Sequence, residues 1–263
     1  MGQALILNGD ELQRIPSDDL LDRLLSMGRV ISLVGAGGKT TLLYALADRG
    51  VRKAMQTLVT TSTRILHPGA EHFCSDLPRC RDNWDRGIYA VWGTDLGNGK
   101  IGAPPVNSFE LTPEADLVLV EADGSRRLPC KAPAVHEPQI PAGTDLVIGV
   151  LGLSAIGQPL KEACLRVEET ACLLSRSPDH ILTGEDLIQL ISSPLGQMKD
   201  VGSRSYFAIL NQGDTLPDAA AALSILRRLA EKGISGAITC FEGNLFNDSP
   251  AADDPSEQMY SER

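Results

Sequence analysis

The stretch V-I-S-L-V-G-A-G-G-K-T-T, residues 30–41, decides the fold of this chain. Its first five residues are mostly β-branched or apolar, which predicts a short buried strand. Four small residues follow, and after Lys39 the apolar residues Leu42, Leu43 and Leu46 recur at helical spacing. The free N–H groups at the start of such a helix, together with its dipole, bind anions such as phosphate. The stretch therefore predicts a strand, a phosphate-binding glycine turn and a helix.

This arrangement is typical of a P-loop that binds GTP or ATP. Lys39 would reach the β- and γ-phosphates, and the Thr40 hydroxyl would hold Mg²⁺. Leu33 stands where the full pattern G-x-x-x-x-G-K-[ST] has its first glycine, and the shorter G-x-x-G-K-T-T resembles the nucleotide loop of Mur-type ligases. The alternative is a glycine-rich turn without a ligand. The residues predicted to bind the nucleotide here are Gly35, Ala36, Gly37, Gly38, Lys39, Thr40 and Thr41.

The composition excludes several classes of protein. A formal net charge of −10 argues against nonspecific binding of nucleic acid. The chain has no run of about 18 apolar residues, and its amino terminus has no basic region of the kind that opens a signal peptide. Its six cysteines form no C-x-x-C pair and are typical of free thiols in a reducing cytosol. We therefore expect a cytoplasmic protein that binds neither nucleic acid nor membranes.

Alternating strand and helix patterns predict an α/β fold, with a mostly parallel sheet of the P-loop NTPase type and helices on both faces. We expect a single domain over residues 1–245. A turn at residues 96–99 between two short strands predicts a hairpin-like insertion near residues 66–112. Thr183-x-x-Asp186 predicts a capping box at the start of a helix. Residues 246–263, rich in Asp, Ser, Pro and Glu, predict a disordered acidic tail.

A second strong signal is D-L-V-L-V-E-A-D, residues 116–123. Its continuous apolar centre predicts a strand covered on both faces, and Glu121 and Asp123 lie at the end of that strand. A carboxylate there holds Mg²⁺ or orients an attacking water in many nucleotide hydrolases. We predict that Lys39, Glu121 and Asp123 are catalytic and that Thr40 and Glu121 hold Mg²⁺. The alternative is a solvated strand end followed by a turn.

Cations and hydroxyl groups follow two of the predicted strands. They suit an anionic substrate or a γ-phosphate, and His136 beside Glu137 could do acid–base work. The alternatives are the ordinary β-propensity of threonine and a charged loop that is only solvated. The residues predicted to contact substrate or phosphate are Thr61, Arg64, Arg126, Arg127, Lys131 and His136.

The quartet Asn211-Gln212-Gly213-Asp214 bears on the choice of base. It follows an apolar strand, as the N-K-x-D element of GTPases does, and in that element the Asp accepts hydrogen bonds from guanine. We therefore predict that Asn211 and Asp214 bind the nucleotide. Gln212 replaces the usual Lys and leaves GTP and ATP both open, while a tight turn is the alternative.

Several segments together resemble the YqeC-type selenium-dependent hydroxylase accessory proteins. They are V-G-A-G-G-K-T-T, T-T-S-T-R, V-E-A-D-G-S-R-R-L-P, the K-A-P, H-E-P and I-P run, and G-L-S-A-I-G-Q-P-L. This resemblance covers residues 30–160 and extends more loosely to the quartet at 211–214. It implies a cytosolic bacterial protein that serves a client selenium-dependent molybdenum hydroxylase or the machinery that makes its cofactor.

Three functions remain open at this point. The first is a nucleotide hydrolase that acts as a maturation factor for the client hydroxylase. The second is an ATP-dependent phosphoryl- or nucleotidyl-transfer enzyme acting on a small anionic, pterin-like substrate. The third is a nucleotide-regulated binding module with negligible turnover.

Overall fold

The computed structural model describes residues 2–104 and 114–240. The strands of this part of the chain are β1 (Gln3–Asn8), β2 (Glu11–Pro16), β3 (Val30–Gly35), β4 (Thr57–Thr61), β5 (Arg64–Leu66), β6 (Phe73–Cys74), β7 (Ala90–Trp92), β8 (Thr94–Asp95), β9 (Lys100–Gly102), β10 (Leu117–Glu121), β11 (Cys130–Lys131), β12 (Leu146–Gly152), β13 (Cys164–Leu165), β14 (Ser205–Asn211) and β15 (Gly236–Cys240). The helices are α1 (Ser17–Leu25), α2 (Lys39–Arg52), α3 (Leu77–Asp85), α4 (Leu160–Ala163), α5 (Val167–Leu174), α6 (Gly184–Ser192) and α7 (Ala219–Glu231).

One ten-stranded sheet organises the molecule, in the order β2-β1-β15-β14-β12-β3-β10-β4-β7-β6. The eight strands from β15 to β6 run parallel to one another. At one edge β1 and β2 form an antiparallel hairpin, and β1 pairs antiparallel with β15. The predicted α/β class with a mostly parallel sheet is confirmed. The strand β3 lies between β10 and β12, so the glycine turn after β3 and the carboxylates after β10 meet at the same edge of the sheet.

Helices cover both faces of the sheet because successive side chains of each strand point to opposite sides. Leu33 of β3 and Ile209 of β14 belong to one apolar cluster with Leu43 of α2. Leu210, the next residue of β14, belongs instead to a cluster with Leu226 of α7. Thus α1 and α2 pack on one face, and the helices α4 to α7 pack on the other.

The segment near residues 66–112, predicted as a hairpin-like insertion, is only partly one. Its strands β6 and β7 join the main sheet, and β7 pairs in parallel with β4. The three residues of β7 are fully buried, which explains why the sheet takes them up rather than leaving them in a separate hairpin. The hairpin itself is β8 and β9, which form a small antiparallel sheet with β5.

Two predictions of the sequence analysis fall partly or wholly beyond the described chain. The predicted tail at 246–263 lies outside it, as do residues 105–112 of the predicted insertion. Within the described ranges, no helix has both the length and the apolar character needed to cross a membrane.

Candidate functional site

A cleft of about 1670 Å³ opens where the central parallel strands end. Its floor is the glycine turn and the first residues of α2, and its walls come from the segments that follow β4, β10 and β14. Of the residues predicted from the sequence, those that line this cleft are Gly37, Gly38, Lys39, Thr40, Thr41, Arg64, Glu121, Arg126, Arg127 and His136. Seven others lie behind or beside its walls, namely Gly35, Ala36, Thr61, Asp123, Lys131, Asn211 and Asp214.

The glycine turn requires glycine because other segments of the same chain approach it closely. Gly37 and Gly38 have φ angles of +73° and +115°, which side-chain-bearing residues rarely adopt. A Cβ atom on Gly37 would lie 2.1 Å from the backbone nitrogen of Gly152. A Cβ atom on Gly38 would lie 2.2 Å from the side-chain amide of Asn211. The turn is therefore packed tightly between the ends of β12 and β14.

Three N–H groups of the turn already donate hydrogen bonds to acceptors within the protein. The N–H of Gly35 donates to both oxygens of Asp123 at 3.0 Å. The N–H of Ala36 donates to the carbonyl of Val150, and that of Gly37 donates to the carbonyl of Leu128. The N–H groups left to meet an anion are those of residues 38–41. The first turn of a helix has no intrahelical acceptor for them, and none of the described side chains caps α2.

The side chain of Lys39 folds back into the floor of the cleft, where its ammonium group contacts protein atoms. Its side chain is only 2% exposed, and its ammonium group donates to the carbonyl of Gly35. The same group lies 3.1 Å from an oxygen of Asp123, which is itself fully buried. Lys39 must therefore leave Asp123 before it can reach a phosphate in the cleft.

Asp123 has a second cationic partner on its other side. The ammonium group of Lys131, also fully buried, lies 2.8 Å from Asp123 and 3.0 Å from Glu137. Burial alone would raise the pKa of Glu137, but the charge of Lys131, the N–H of Ala134 and the nearby Arg166 together lower it. Lys131 thus faces two carboxylates behind the floor of the cleft and contributes to its support, away from the lining.

Thr40 and Glu121 form the part of the site that suits Mg²⁺. The hydroxyl of Thr40 donates to a carboxylate oxygen of Glu121 at 2.9 Å. Burial raises the pKa of Glu121 above its usual range, although Lys39 and Thr40 act in the opposite direction. Both groups supply the hard oxygen ligands that Mg²⁺ prefers. Among the described residues no cluster of three or more His, Cys, Asp or Glu could hold a metal ion, so phosphate oxygens and water would have to complete the coordination.

The side chains of the quartet at residues 211–214 have different positions: one supports the glycine turn, one lines the cleft and one is exposed outside it. Asn211 donates to the carbonyl of Gly37 at 3.0 Å and accepts from Thr239 at 3.1 Å, so it supports the glycine turn. Gln212 lines the cleft and accepts from the hydroxyl of Ser154. Asp214 is exposed, outside the cleft lining, and one of its oxygens accepts from the thiol of Cys240.

The cleft is basic although the chain is acidic. Its described lining carries six Lys or Arg side chains against two carboxylates, Glu121 and Glu137. Arg126 and Arg127 are exposed and adopt left-handed backbone angles of +49° and +65°. Sequence reasoning missed two of the six cations. Arg166 precedes α5 and Lys100 begins β9, and tertiary packing alone brings them to this cleft.

Thr61 and His136 complete the predicted set. The hydroxyl of Thr61 donates to the carbonyl of Glu121 at 2.9 Å and so joins the ends of β4 and β10. His136 is exposed on the wall opposite, beside the buried Glu137.

The fold and this site together define an α/β protein with a cationic cleft at the carboxyl edge of a mostly parallel sheet. The family model for YqeC protein matches residues 31–168. A relative from Escherichia coli (strain K12), named Uncharacterized protein YqeC, is 33% identical over an alignment of 216 residues that covers 78% of this chain and 84% of the relative. The chain belongs to the YqeC family. No solved structure matches it.

Proposed function

We propose that this chain binds a magnesium nucleoside triphosphate, GTP or ATP, on the P-loop at residues 35–41 and hydrolyses it. The observation that carries the proposal is the uncapped start of α2, where Lys39 and Thr40 stand beside the buried carboxylate of Glu121. Free helix N–H groups, a lysine and a hydroxyl next to a carboxylate are the groups that a triphosphate and its metal ion require. Through its family resemblance, the chain would serve the maturation of a selenium-dependent molybdenum hydroxylase.

The residues divide into three roles in this proposal. Thr40 and Glu121 would hold Mg²⁺, which when bound neutralises charge on the phosphate oxygens. Lys39 would move from Asp123 to the triphosphate, and Arg126 and Arg127 would approach it from the opposite wall. Asp123 acts through others as a positioning residue, because its oxygens already contact Lys39, Lys131 and the N–H of Gly35.

The decisive test is the equilibrium binding of Mg-ATP and Mg-GTP to the parent and to Lys39→Ala. We expect the variant to lose most of its affinity, because a charge-assisted contact to phosphate disappears. Lys53→Ala is the matched control, since Lys53 lies just beyond the other end of α2 in an exposed ion pair with Asp22. Unchanged affinity of Lys39→Ala, or an equal loss in Lys53→Ala, contradicts a phosphate contact by Lys39.

The same titration addresses the base. Guanine recognition by Asp214 predicts that GTP binds more tightly than ATP, and that Asp214→Asn shifts preference toward the xanthosine nucleotide. Asp214 is exposed, and only one of its oxygens accepts from the thiol of Cys240, so its carboxylate can accept further hydrogen bonds. If ATP binds as tightly as GTP or more tightly, the quartet does not recognise guanine. Its role is then that of a turn in which Asn211 supports Gly37.

A second candidate is phosphoryl or nucleotidyl transfer to a small anionic, pterin-like substrate. The excess of cations in the cleft and its volume favour this function, because pockets for one small ligand measure about 300–1,000 Å³ and this cleft exceeds that range. Phosphate release that needs no acceptor and rises with the client hydroxylase supports the hydrolase. Turnover that appears only when a small acceptor is added supports the transferase.

A further inference from the structure

The cleft extends beyond the P-loop into a second compartment. We call it the aromatic arm and define it by Tyr44, Leu66, His67, Pro68, Tyr89 and Lys100. It lies between α2 and the small antiparallel sheet formed by β5, β8 and β9. Tyr44 stands four residues after Thr40 and therefore on the same face of α2, one turn below the proposed metal ligand. The aromatic arm thus opens from the metal side of the loop, whereas Gln212 lies at the end of β14 on the other side of β3.

The walls of the aromatic arm are suited to a flat ring. Tyr44 and Tyr89 stack with ring centroids 5.9 Å apart and an interplanar angle of 28°. Tyr89 stacks in turn on His72 at 4.0 Å and 9°, which holds its ring in place from behind. Leu66, a large apolar side chain, is 47% exposed toward this space. Ordered aromatic rings beside exposed apolar surface bind planar ligands by stacking.

Two hydroxyl groups in this region have no hydrogen-bond partner among the described residues. They belong to Tyr44 and to Ser62, which also lines the cleft, and both oxygen atoms are buried. Burial, helped by Tyr89 and Glu121, raises the pKa of Tyr44, so its hydroxyl stays protonated and can donate. Buried polar groups without partners are uncommon in folded proteins because each costs free energy. A ligand with acceptor atoms would satisfy both hydroxyls.

Cations complete the chemistry of this compartment. Arg64 and Lys100 are exposed, line the cleft and belong to the adjacent strands β5 and β9. Within the described chain, the strands β5, β8 and β9 contribute no carboxylate to the cleft lining. The ring-binding surface is therefore joined to a positive rim.

We propose that the aromatic arm binds a second ligand, a planar aromatic anion, at the same time as the nucleotide occupies the P-loop. This inference rests on the proposed function only for the presence of the nucleotide. The ring of the ligand packs against Leu66 and against the side of the stacked Tyr44–Tyr89 pair that lines the cleft. Its acceptor atoms meet the hydroxyls of Tyr44 and Ser62, and its negative charge faces Arg64 and Lys100.

The test uses pterin-6-carboxylate, a fluorescent planar anion, titrated with the full chain in the presence and absence of saturating magnesium adenylyl imidodiphosphate. We expect the parent to bind the probe under both conditions. Tyr89→Leu should weaken binding about tenfold, because the aromatic pair that forms this wall is lost. Tyr44→Phe keeps the ring and loses only the hydroxyl, so a loss of about three- to tenfold is expected.

The matched control is Tyr206→Phe, which removes a hydroxyl that donates to Ile191 far from the cleft and should bind the probe as the parent does. The proposal is overturned if the parent fails to bind the probe at about 1 mM, or if both arm variants bind it normally. It is also overturned if the nucleotide analogue expels the probe while inorganic tripolyphosphate does not, because the arm would then hold the nucleotide's own base. Probe binding that depends on Tyr44 and Tyr89 without any binding of the nucleotide analogue overturns the proposed function and supports the aromatic arm as a ligand site.

Discussion

Lys131→Met is expected to weaken nucleotide binding even though Lys131 lies behind the cleft. In the parent, Asp123 is balanced by Lys39 at 3.1 Å, by Lys131 at 2.8 Å and by the N–H of Gly35 at 3.0 Å. When Lys39 moves to a phosphate, Lys131 and Gly35 still stabilise the buried carboxylate. Without Lys131 the carboxylate would keep only the N–H of Gly35, so the movement of Lys39 becomes less favourable.

The size of the effect follows from the contact that Lys39 would have to give up. A hydrogen bond to a charged group contributes about 1.5–3 kcal/mol, so the dissociation constant of the nucleotide should rise about 10- to 100-fold. The variant should also lose about 3–5 kcal/mol of stability, because Asp123 and Glu137 both lose a buried partner. Urea denaturation therefore has to establish first that Lys131→Met is folded at the temperature of the binding assay.

The assay is calorimetric titration of Lys131→Met with Mg-ATP and Mg-GTP, alongside the double variant Lys131→Met/Asp123→Asn. Neutralising Asp123 removes the charge that retains Lys39, so the double variant should recover nucleotide affinity relative to the single one. The reasoning is refuted if folded Lys131→Met binds nucleotide within about twofold of the parent, or if the double variant binds no better than Lys131→Met.

Two further predictions concern carboxylates. Glu121→Gln should lower turnover about 100-fold or more with little change in nucleotide affinity, since a group that orients water or metal acts mainly in the transition state. Equal losses of rate and affinity would contradict this role. Asp186→Ala should lower the free energy of unfolding by about 2–3 kcal/mol at neutral pH, because the carboxylate completes the capping box with Thr183 and contacts His180. Burial acts to raise the pKa of Asp186, but Thr183 and His180 lower it overall, so this stabilisation is present above the unfolded pKa and is lost as the pH falls through the folded one. Urea denaturation of the parent and the variant at about pH 7 and about pH 3 should show the difference shrinking in acid, and a constant difference would be the contrary result.

The sequence predicted those parts of the fold whose conformation is decided locally. Gly37 and Gly38 adopt backbone angles that other residues rarely tolerate, and the apolar spacing after Lys39 buries Leu42, Leu43 and Leu46 against the sheet. The capping box of Thr183 and Asp186, also a local device, is confirmed. Such features need no knowledge of which strand becomes whose neighbour.

Contacts that depend on strand order were beyond local patterns. Charged residues are usually assigned to the surface, yet Asp123 and Lys131 are fully buried because each neutralises the other. Their meeting requires the loop after β10 to return beneath the glycine turn. The cleft positions of Arg166 and Lys100 likewise result from packing between segments distant in sequence.

The amino-terminal hairpin is an intermediate case. Its signal was present, since Gly9 and Asp10 form the two-residue turn between the strands and Gly9 has a φ angle of +58°. The pattern could predict the hairpin but gave no reason for β1 to pair with β15, near the other end of the described chain. Partner choice between distant strands is set by the complete sheet.

The cleft is basic and the whole chain is acidic. This contrast should affect both the rate at which an anion enters the cleft and the length of anion that fits there. The chain carries a net −10, while the described cleft lining is rich in Lys and Arg, so the remaining surface repels anions more strongly than the total suggests. At physiological ionic strength this field acts over a Debye length of about 8 Å. A compact oligophosphate small enough to lie within the cleft is guided inward, and its association rate should fall with added salt. A long polyanion should bind less well, because its flanking charges would extend from the basic cleft toward the rest of a chain whose net charge is −10.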